Sequence, residues 1–250
     1  MNSKKEYQYI GKSEWNVNAM AKATGRAKYC SDMQLPGMLH ARVKRSPYPH
    51  ARIVSIDTSQ AERLPGVKAV IVGDEKTCPA RFGAGVADEY VLARDKVLYV
   101  GDAVAAVAAE SEQIAEEAVD LIEVQYEELP AVFDGEEAFK RNPPAVLHPD
   151  LKRYKTLRSV PPRFDENRPN VFNYFRIRRN NVEDGFKEAD LVFENRFKTA
   201  MIHHVQMESH CGVAMVDDSD RLTVWAPVLN LTGCTGIYLN QEACRRRLSE

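Results

Sequence analysis

A change of hydrophobic period between residues 111 and 127 constrains the fold of this chain more than any other feature. Apolar residues first recur three to four positions apart, at Ile114, Ala118 and Leu121, and then alternate with polar ones, at Ile122, Val124 and Tyr126. The first spacing predicts an amphipathic helix, for which Ser111 is a suitable N-cap, and the second predicts a half-buried strand. Both elements need an apolar surface to cover, and a sheet with helices packed on it supplies one.

Short apolar runs bounded by turn residues predict further strands on the N-terminal side of this helix. Asp57 is a suitable N-cap for a predicted short helix through Arg63, which Pro65 and Gly66 then stop. The mixture of strands and short helices predicts an α+β fold. The predicted strands are Met38–Lys44, Ile53–Ile56, Val67–Val72, Val97–Val100 and Ala103–Ala109.

A proline-rich stretch divides the chain. Six prolines lie between Arg141 and Pro169, and proline lacks an amide donor and blocks helix continuation, which is typical of a connector. We therefore predict a first domain over 1–142, a connector over 143–169 and a second, mostly-strand piece over 170–250. In the second piece Leu191, Phe193 and Phe197 fit one face of a strand, and Asp217–Asp220 fits the turn of a hairpin between 211–216 and 222–225.

The charge balance argues against two classes of protein. The chain has 34 Lys and Arg against 36 Asp and Glu, giving a net charge of -2, whereas nucleic-acid-binding proteins are usually basic. The longest apolar stretch, Val97–Ala109, is interrupted by Gly101 and Asp102 and is shorter than the roughly 20 residues that cross a bilayer. We expect neither a nucleic-acid nor a membrane partner.

The cysteines and the first residues indicate a cytoplasmic chain. No apolar run follows Lys4 and Lys5, so no secretory signal is expected. The five cysteines include no CxxC pair, which favours reduced thiols over a disulfide framework and gives no local spacing for an iron–sulfur cluster.

The stretch HHVQMESH carries the densest group of possible metal ligands. It contains His203, His204, Glu208 and His210, and the four-residue spacing of His204 and Glu208 would place two ligands on one helical face. No HExxH motif is present, however, and the flanking sequence is typical of strand and loop. We therefore predict polar structural residues here and no metal site.

Three other clusters have structural interpretations. Gly83 and Gly85 form only half of a phosphate-loop pattern, which favours a surface loop. The carboxylates of residues 110–128 fit the solvated face of the helix and strand rather than an acid–base pair. Arg176, Arg178 and Arg179 alternate with apolar residues, as on the wet side of a strand, although an anion-binding edge has the same pattern.

Seven stretches resemble, in order, the molybdenum-binding large subunits of the xanthine dehydrogenase and aldehyde oxidase family. Four lie before the connector and resemble the family's a/b hammerhead domain. The others resemble the opening part of its molybdopterin-binding domain. The stretches are ATGRAKYCSDMQLPGMLHARVKRSPYPHARIVSID (23–57), LPGVKAVI (64–71), LARDKVLYVGDAVAAVAAES (92–111), AEEAVDLIEVQYEELPAV (115–132), FKEADLVFENRF (186–197), HHVQMESHCGVA (203–214) and RLTVW (221–225).

The resemblance implies part of a molybdenum-cofactor oxidoreductase, an enzyme that hydroxylates a carbon centre with water. It implies molybdopterin in the complete complex, 2Fe-2S and FAD on partner subunits, and no cofactor on the isolated chain. The expected partners are a chain carrying the rest of the molybdopterin domain, an iron–sulfur subunit and, in part of the family, an FAD subunit. The alternative is a noncatalytic truncated fragment or structural module. A third hypothesis, a zinc hydrolase built on the histidines, would require stoichiometric zinc.

Two departures from the family limit what can be assigned to single residues. The family's large subunit is much longer, and its glycine-rich pterin contacts and catalytic glutamate lie in segments that have no match here. Many members also carry a glutamine that approaches the molybdenum oxo group, and Leu229 stands at that place, where it cannot donate a hydrogen bond. Asn230 is one position away. We therefore assign no catalytic and no cofactor-binding residue.

Overall fold

A computed structural model describes residues 7–83, 85–156 and 163–227 of the chain. The described residues form an α+β arrangement, as the sequence predicts. The helices are α1 (Ala19–Ala23), α2 (Ser59–Arg63), α3 (Glu112–Asp120), α4 (Gly135–Ala138) and α5 (Val182–Glu188), with 3₁₀ turns at Cys30–Asp32 and Leu151–Arg153. The strands are β1 (His40–Arg45), β2 (Ala51–Asp57), β3 (Val67–Val72), β4 (Arg81–Phe82), β5 (Glu89–Tyr90), β6 (Lys96–Val97), β7 (Ala103–Ala109), β8 (Glu123–Glu128), β9 (Val213–Val216) and β10 (Leu222–Trp225).

Two three-stranded antiparallel sheets form the body of residues 37–128. One has the order β1-β7-β3 and the other the order β6-β2-β8. Strand β7 is the middle strand of the first sheet, and four of its seven residues are buried. The alanine- and valine-rich sequence of β7 fits this place, because small and β-branched side chains suit a strand covered on both faces.

Strand β7 contributes to two hydrophobic clusters, one on each face. Ala105 and Val107 pack with Ala61 of α2 and Ala118 of α3, and Ile122 completes this cluster. Val104 packs on the other side, in a cluster with Ala51, Ala93 and Val97. Alternate residues of a strand point to opposite faces, so one strand joins both clusters.

Helix α3 and strand β8 confirm the predicted change of period. The Ser111 hydroxyl accepts a hydrogen bond from the backbone N–H of Ile114 at 3.3 Å, and the helix buries Ala115 and Ala118. Its outer carboxylates, Glu112 and Glu116, both pair with Arg42 of β1. These carboxylates are exposed and bound to a cation, which agrees with the solvated-face interpretation.

The first part of the proline-rich stretch is packed against the sheets rather than free. Thr156 forms a β-bridge with Val86, and the backbone N–H of Ala87 donates to the carbonyl of Lys155 at 2.8 Å. Lys96 donates to the carbonyl of Leu147 at 2.8 Å, and Leu151 is buried. Proline removes amide donors, but amides and carbonyls of neighbouring residues still find partners.

The second half of the chain contains fewer strands than the sequence predicts. The hairpin of β9 and β10 is confirmed, with Val213 opposite Trp225 and Val216 opposite Leu222. Leu191, Phe193 and Phe197 lie in no strand, and the prediction of a strand face for them is wrong for the described chain. A strand needs a neighbour for its backbone N–H and C=O groups. Among the described residues these positions have no ladder partner.

Residues 173–210 are all exposed to solvent, and we call them the exposed segment. Apart from α5 they contain neither helix nor strand. Many of their side chains are large and apolar, including Phe175, Ile177, Leu191, Phe193, Phe197, Met201, Ile202 and Met207.

The described residues fall into two compact units. One consists of residues 7–36 together with 200–227, and the other of residues 37–199. The sequence division at 142 and 170 stays a prediction. Leu229 and Asn230 lie outside the described residues. In the described part of the chain, no helix has the length and apolarity needed to traverse a bilayer.

Candidate functional site

Residues 203–210, which we call the histidine segment, form no helix and are all exposed to solvent. His203 Nδ1 accepts a hydrogen bond from the backbone N–H of Val205 at 3.0 Å, and Val205 has a positive φ of 48°. The side chains of Gln206 and His210 form a hydrogen bond. A β-branched residue at positive φ is incompatible with regular helix or strand, so the backbone here is irregular.

This geometry bears on the zinc hypothesis. Because the segment is not helical, the four-residue spacing of His204 and Glu208 does not place the two side chains on one face. Over residues 7–83, 85–156 and 163–227, no three His, Cys, Asp or Glu side chains are grouped so that they could hold a metal ion. The zinc-hydrolase hypothesis has no support in this geometry.

A second candidate is a cleft of about 330 Å³ beside strands β4, β5 and β6, which we call the arginine–tyrosine cleft. The Arg81 guanidinium lies over the rings of Tyr90 and Tyr154, 4.5 and 4.4 Å from their centroids. Arg94 lies 4.7 Å from the Tyr90 centroid and donates to its hydroxyl at 3.1 Å. Stacking of this kind stabilises a cation over an aromatic face.

Burial and charge perturb the titratable groups of this cleft. Burial alone would raise the pKa of Tyr90, but its hydrogen bonds with Arg81 and Arg94, and their positive charge, lower it overall. Burial raises the pKa of Glu89, and the negative charges of Asp88 and Asp102 add to that effect. Groups with shifted pKa values in a cleft are candidates for function, although ion-pair networks shift them as well.

The surroundings of two bases in the same cleft, Lys96 and His148, lower their pKa values. Burial lowers the pKa of Lys96, and the positive charge of Arg81 acts in the same direction. Burial also lowers the pKa of His148, and Lys96 and Arg81 contribute further. The His148 ring meets the Tyr154 ring edge-on, with centroids 5.9 Å apart.

Sequence reasoning did not find the arginine–tyrosine cleft, because no local motif marks it. Its stacked arginine and tyrosine side chains come from residues 81–94 and from Tyr154, which the Val86–Thr156 bridge brings together. The one local signal was the RFGAG stretch. Arg81 and Phe82 form β4, paired with β5, and Gly83 follows this strand outside any helix or strand. A Cβ on Gly83 would lie 2.0 Å from the Val86 carbonyl oxygen, so this glycine allows a close backbone approach.

The remaining sequence candidates are not brought together. Arg176, Arg178 and Arg179 are exposed and lie outside any strand. They belong to the exposed segment, and they do not line the arginine–tyrosine cleft.

Two regions of the chain match known domain families. Residues 24–130 match the a/b hammerhead domain of aldehyde oxidase and xanthine dehydrogenase, and residues 164–238 match the molybdopterin cofactor-binding domain. The chain belongs to the aldehyde oxidase and xanthine dehydrogenase family. It carries the hammerhead domain followed by the beginning of a cofactor-binding domain, as the resemblance implied.

Similar proteins come from several bacteria. The chain is 40% identical to a probable xanthine dehydrogenase subunit of Bacillus subtilis, over 82% of this chain and 25% of that protein. It is 36% identical to the nicotinate dehydrogenase large molybdopterin subunit of Eubacterium barkeri, over 88% of this chain and 47% of that protein. The chain therefore spans between a quarter and a half of the length of these relatives.

A solved structure shows the same fold. CO dehydrogenase from Oligotropha carboxidovorans superposes with a TM-score of 0.73 and 31% identity, over 86% of this chain and 27% of that one.

The described residues of the cofactor-binding domain do not fit a molybdopterin site by themselves. Residues 173–210 are exposed throughout, including the histidine segment, so they enclose no volume in which a pterin would be held. Cofactor sites bury most of the ligand between convergent groups. Leu229, at the place where many relatives have the glutamine, lies outside the described residues, and its role stays a prediction.

Proposed function

We propose that this chain forms part of a molybdenum-cofactor oxidoreductase of the xanthine dehydrogenase and aldehyde oxidase type. The activity requires the remaining segments of the cofactor-binding domain, which the relatives carry beyond the region matched here. Molybdopterin belongs to the complete complex, with 2Fe-2S and FAD on partner subunits. The proposal includes a cytoplasmic location, which is supported by five cysteines of which no two stand in a CxxC pair.

The exposed segment is the observation that carries this proposal. Large apolar side chains on a monomer surface are usually scattered, whereas here they follow one another along residues 173–210. Burying one phenylalanine side chain stabilises an assembly by about 1.5–3 kcal/mol. Several of them together favour association strongly, and the match of residues 164–238 to a cofactor-binding domain supports the rest of that domain as the partner.

The contribution of this chain is a surface on which the cofactor domain is completed. The cofactor, when bound, supplies oxidation of a carbon centre coupled to hydroxylation by water. The segment around His203–His210 lies within the stretch that matches the cofactor-binding domain, so its polar side chains would be enclosed once the rest of that domain covers it. No reaction step is assigned to a described residue.

Co-expression tests the proposal. The chain is produced together with the segments of the cofactor-binding domain that its relatives carry beyond the matched region, and with the iron–sulfur protein, and the assembly is isolated by size exclusion. We expect a complex that contains molybdenum and reduces a dye with an aldehyde or heterocycle as electron donor. A chain that elutes as a monomer beside those partners contradicts the proposal and favours the noncatalytic fragment.

A matched pair of variants locates the surface. Phe193 and Phe133 are the same residue type with similar exposure, 81% and 79%, but only Phe193 lies in the exposed segment. Phe193→Ser should weaken the complex about tenfold or more, since each 1.4 kcal/mol of lost burial is a factor of ten. Phe133→Ser should leave assembly unchanged. Equal effects of the two substitutions would mean that the exposed segment is not the assembly surface.

A further inference from the structure

The arginine–tyrosine cleft lies wholly within the compact unit of residues 37–199, and the proposed function gives it no role. The connector contributes Leu147, His148 and Tyr154 to its lining, and the region of β4, β5 and β6 forms most of the rest. A hydrogen bond of 2.8 Å from Lys96 to the Leu147 carbonyl joins the two parts. The volume of about 330 Å³ lies within the usual range of small-molecule sites, about 300–1,000 Å³.

Three cationic side chains that line the cleft, and that we call the cleft cations, are Arg81, Arg94 and Lys96. The Arg81 backbone pairs with Tyr90 in the β4–β5 ladder. Its guanidinium lies 4.5 and 4.4 Å from the ring centroids of Tyr90 and Tyr154. Ordering a long side chain is one of the costs of binding a ligand. For Arg81 that ordering takes place during folding, so the cation is in place before an anion arrives.

The cleft cations have more hydrogen-bond donors than the described residues use. Arg81 Nη1 is covered and has no hydrogen-bond partner among those residues. Lys96 donates one N–H to the Leu147 carbonyl. Arg94 Nη1 donates to the Tyr90 hydroxyl. Because a lysine has three N–H donors and an arginine has five, each of these side chains can donate to a further acceptor.

The carboxylates of the cleft do not neutralise the cleft cations. Within residues 7–83, 85–156 and 163–227, no carboxylate forms an ion pair with any of the three. Asp102 accepts a hydrogen bond from the backbone N–H of Leu98 at 3.0 Å, and Asp150 lies 3.2 Å from Arg153 Nη1. The other acidic residues of the lining are Asp88, Glu89 and Asp95. Their charge disfavours an anion near them, so a negative group would bind beside the cleft cations.

The positive charges of the cleft repel one another. Burial is the main cause of the lowered pKa of Lys96, and the charge of Arg81 adds to it. Burial is also the main cause of the lowered pKa of His148, to which Lys96 and Arg81 contribute. A negative group among these side chains would reduce the repulsion, which favours its binding.

Apolar side chains complete the lining and indicate the rest of the ligand. They are Ala93, Leu98, Leu129, Leu147 and Pro149. An inorganic ion would leave this apolar surface in contact with water, whereas an apolar ring or chain would cover it. The combination of apolar surface with a few fixed polar groups is typical of sites for small organic molecules.

We propose that the arginine–tyrosine cleft binds a small organic anion, a carboxylate attached to an apolar ring or chain, through Arg81, Arg94 and Lys96. The proposal goes beyond the oxidoreductase function and does not depend on it. The planar guanidinium group of an arginine matches a carboxylate with two parallel N–H donors, and the ammonium group of a lysine adds a third charge-assisted hydrogen bond.

The test titrates the purified full chain with benzoate and follows binding by NMR. We expect saturable binding of one benzoate per chain with a Kd on the order of 1 mM, as for a tight-fitting fragment of this size. Benzamide has the same ring without the charge, and acetate has the same carboxylate without the ring. Each should bind about tenfold more weakly or worse. Benzamide binding as tightly as benzoate would overturn the proposal, and so would equal binding of acetate, which would indicate an adventitious ion only.

Variants of the cleft cations locate the binding. Arg94→Gln should weaken benzoate binding about tenfold or more, because a charge-assisted hydrogen bond is lost. Lys96→Gln is the second variant, so that the test does not depend on the folding of one substituted chain. Arg42→Gln is the matched control, since Arg42 pairs with Glu112 and does not line the cleft, and it should bind benzoate as the wild type does. Wild-type affinity in both cleft variants, or an equal loss in the control, would overturn the proposal.

Discussion

His148 shows how one residue of the arginine–tyrosine cleft couples protonation to folding. Burial and two nearby cations lower its pKa below the ordinary 6.5, although Asp88 partly opposes them. The unfolded chain therefore binds a proton at a higher pH than the folded chain does. Between the two pKa values, stability falls as pH falls, because the unfolded state binds more protons.

Replacing this histidine should flatten that dependence. We expect His148→Gln to lose less stability than the wild type when pH is lowered from about 7 to about 5, as measured by urea denaturation at a series of pH values. His204→Gln, at an exposed position of the histidine segment, is the control and should retain the wild-type slope. Identical slopes for His148→Gln and the wild type would contradict the assignment.

At the scale of elements, the connector and the exposed segment differ in protection from proteases. Lys155 lies in a backbone that pairs with residues 86 and 87, whereas Arg176, Arg178 and Arg179 are exposed and lie outside helices and strands. Proteases cut backbone that opens locally. The sequence alone predicts first cleavage between residues 141 and 168. For the described residues 152–156 the structure predicts slower cleavage than at residues 176–198.

Brief trypsin digestion followed by intact-mass analysis checks this expectation. The first fragments should end at Arg176, Arg178, Arg179, Arg196 or Lys198. The tryptic bonds after Lys152, Arg153 and Lys155 should be cut later, and chain unfolded in urea should show no such order. A first cut after Lys44, Arg52 or Lys68, which lie in strands β1, β2 and β3, would contradict the packing of the two sheets.

The elements that could be predicted from sequence are those whose signals are local. Helix α3 has its cap and its apolar period within about ten residues, and β3 and β7 begin and end at the predicted residues because turn residues enclose them. The cleft could not be predicted, since Tyr154 reaches Arg81 only through the packed connector. The strand predicted at Leu191–Phe197 is wrong because apolar alternation does not by itself provide a ladder partner.

At the scale of the whole molecule, the open cofactor-binding part predicts the metal content of the isolated chain. The described residues of that part enclose no pterin, and the histidine segment has no helical ligand pair. We expect neither molybdenum nor zinc in stoichiometric amount after purification. Elemental analysis by mass spectrometry measures both, and one molybdenum per isolated chain would show that a complete site forms without a partner.

The compact unit made of residues 7–36 and 200–227 is discontinuous in the chain, and this has a consequence for synthesis on the ribosome. Its N-terminal part emerges first but must wait until residues 37–199 have been translated, a delay on the order of ten seconds. In the folded unit the Cys30 thiol donates a hydrogen bond to the backbone carbonyl of Trp225. During that interval this carbonyl has not yet been synthesised. The nascent chain therefore carries an uncovered cysteine near its beginning, and translation itself sets the moment at which this thiol is covered.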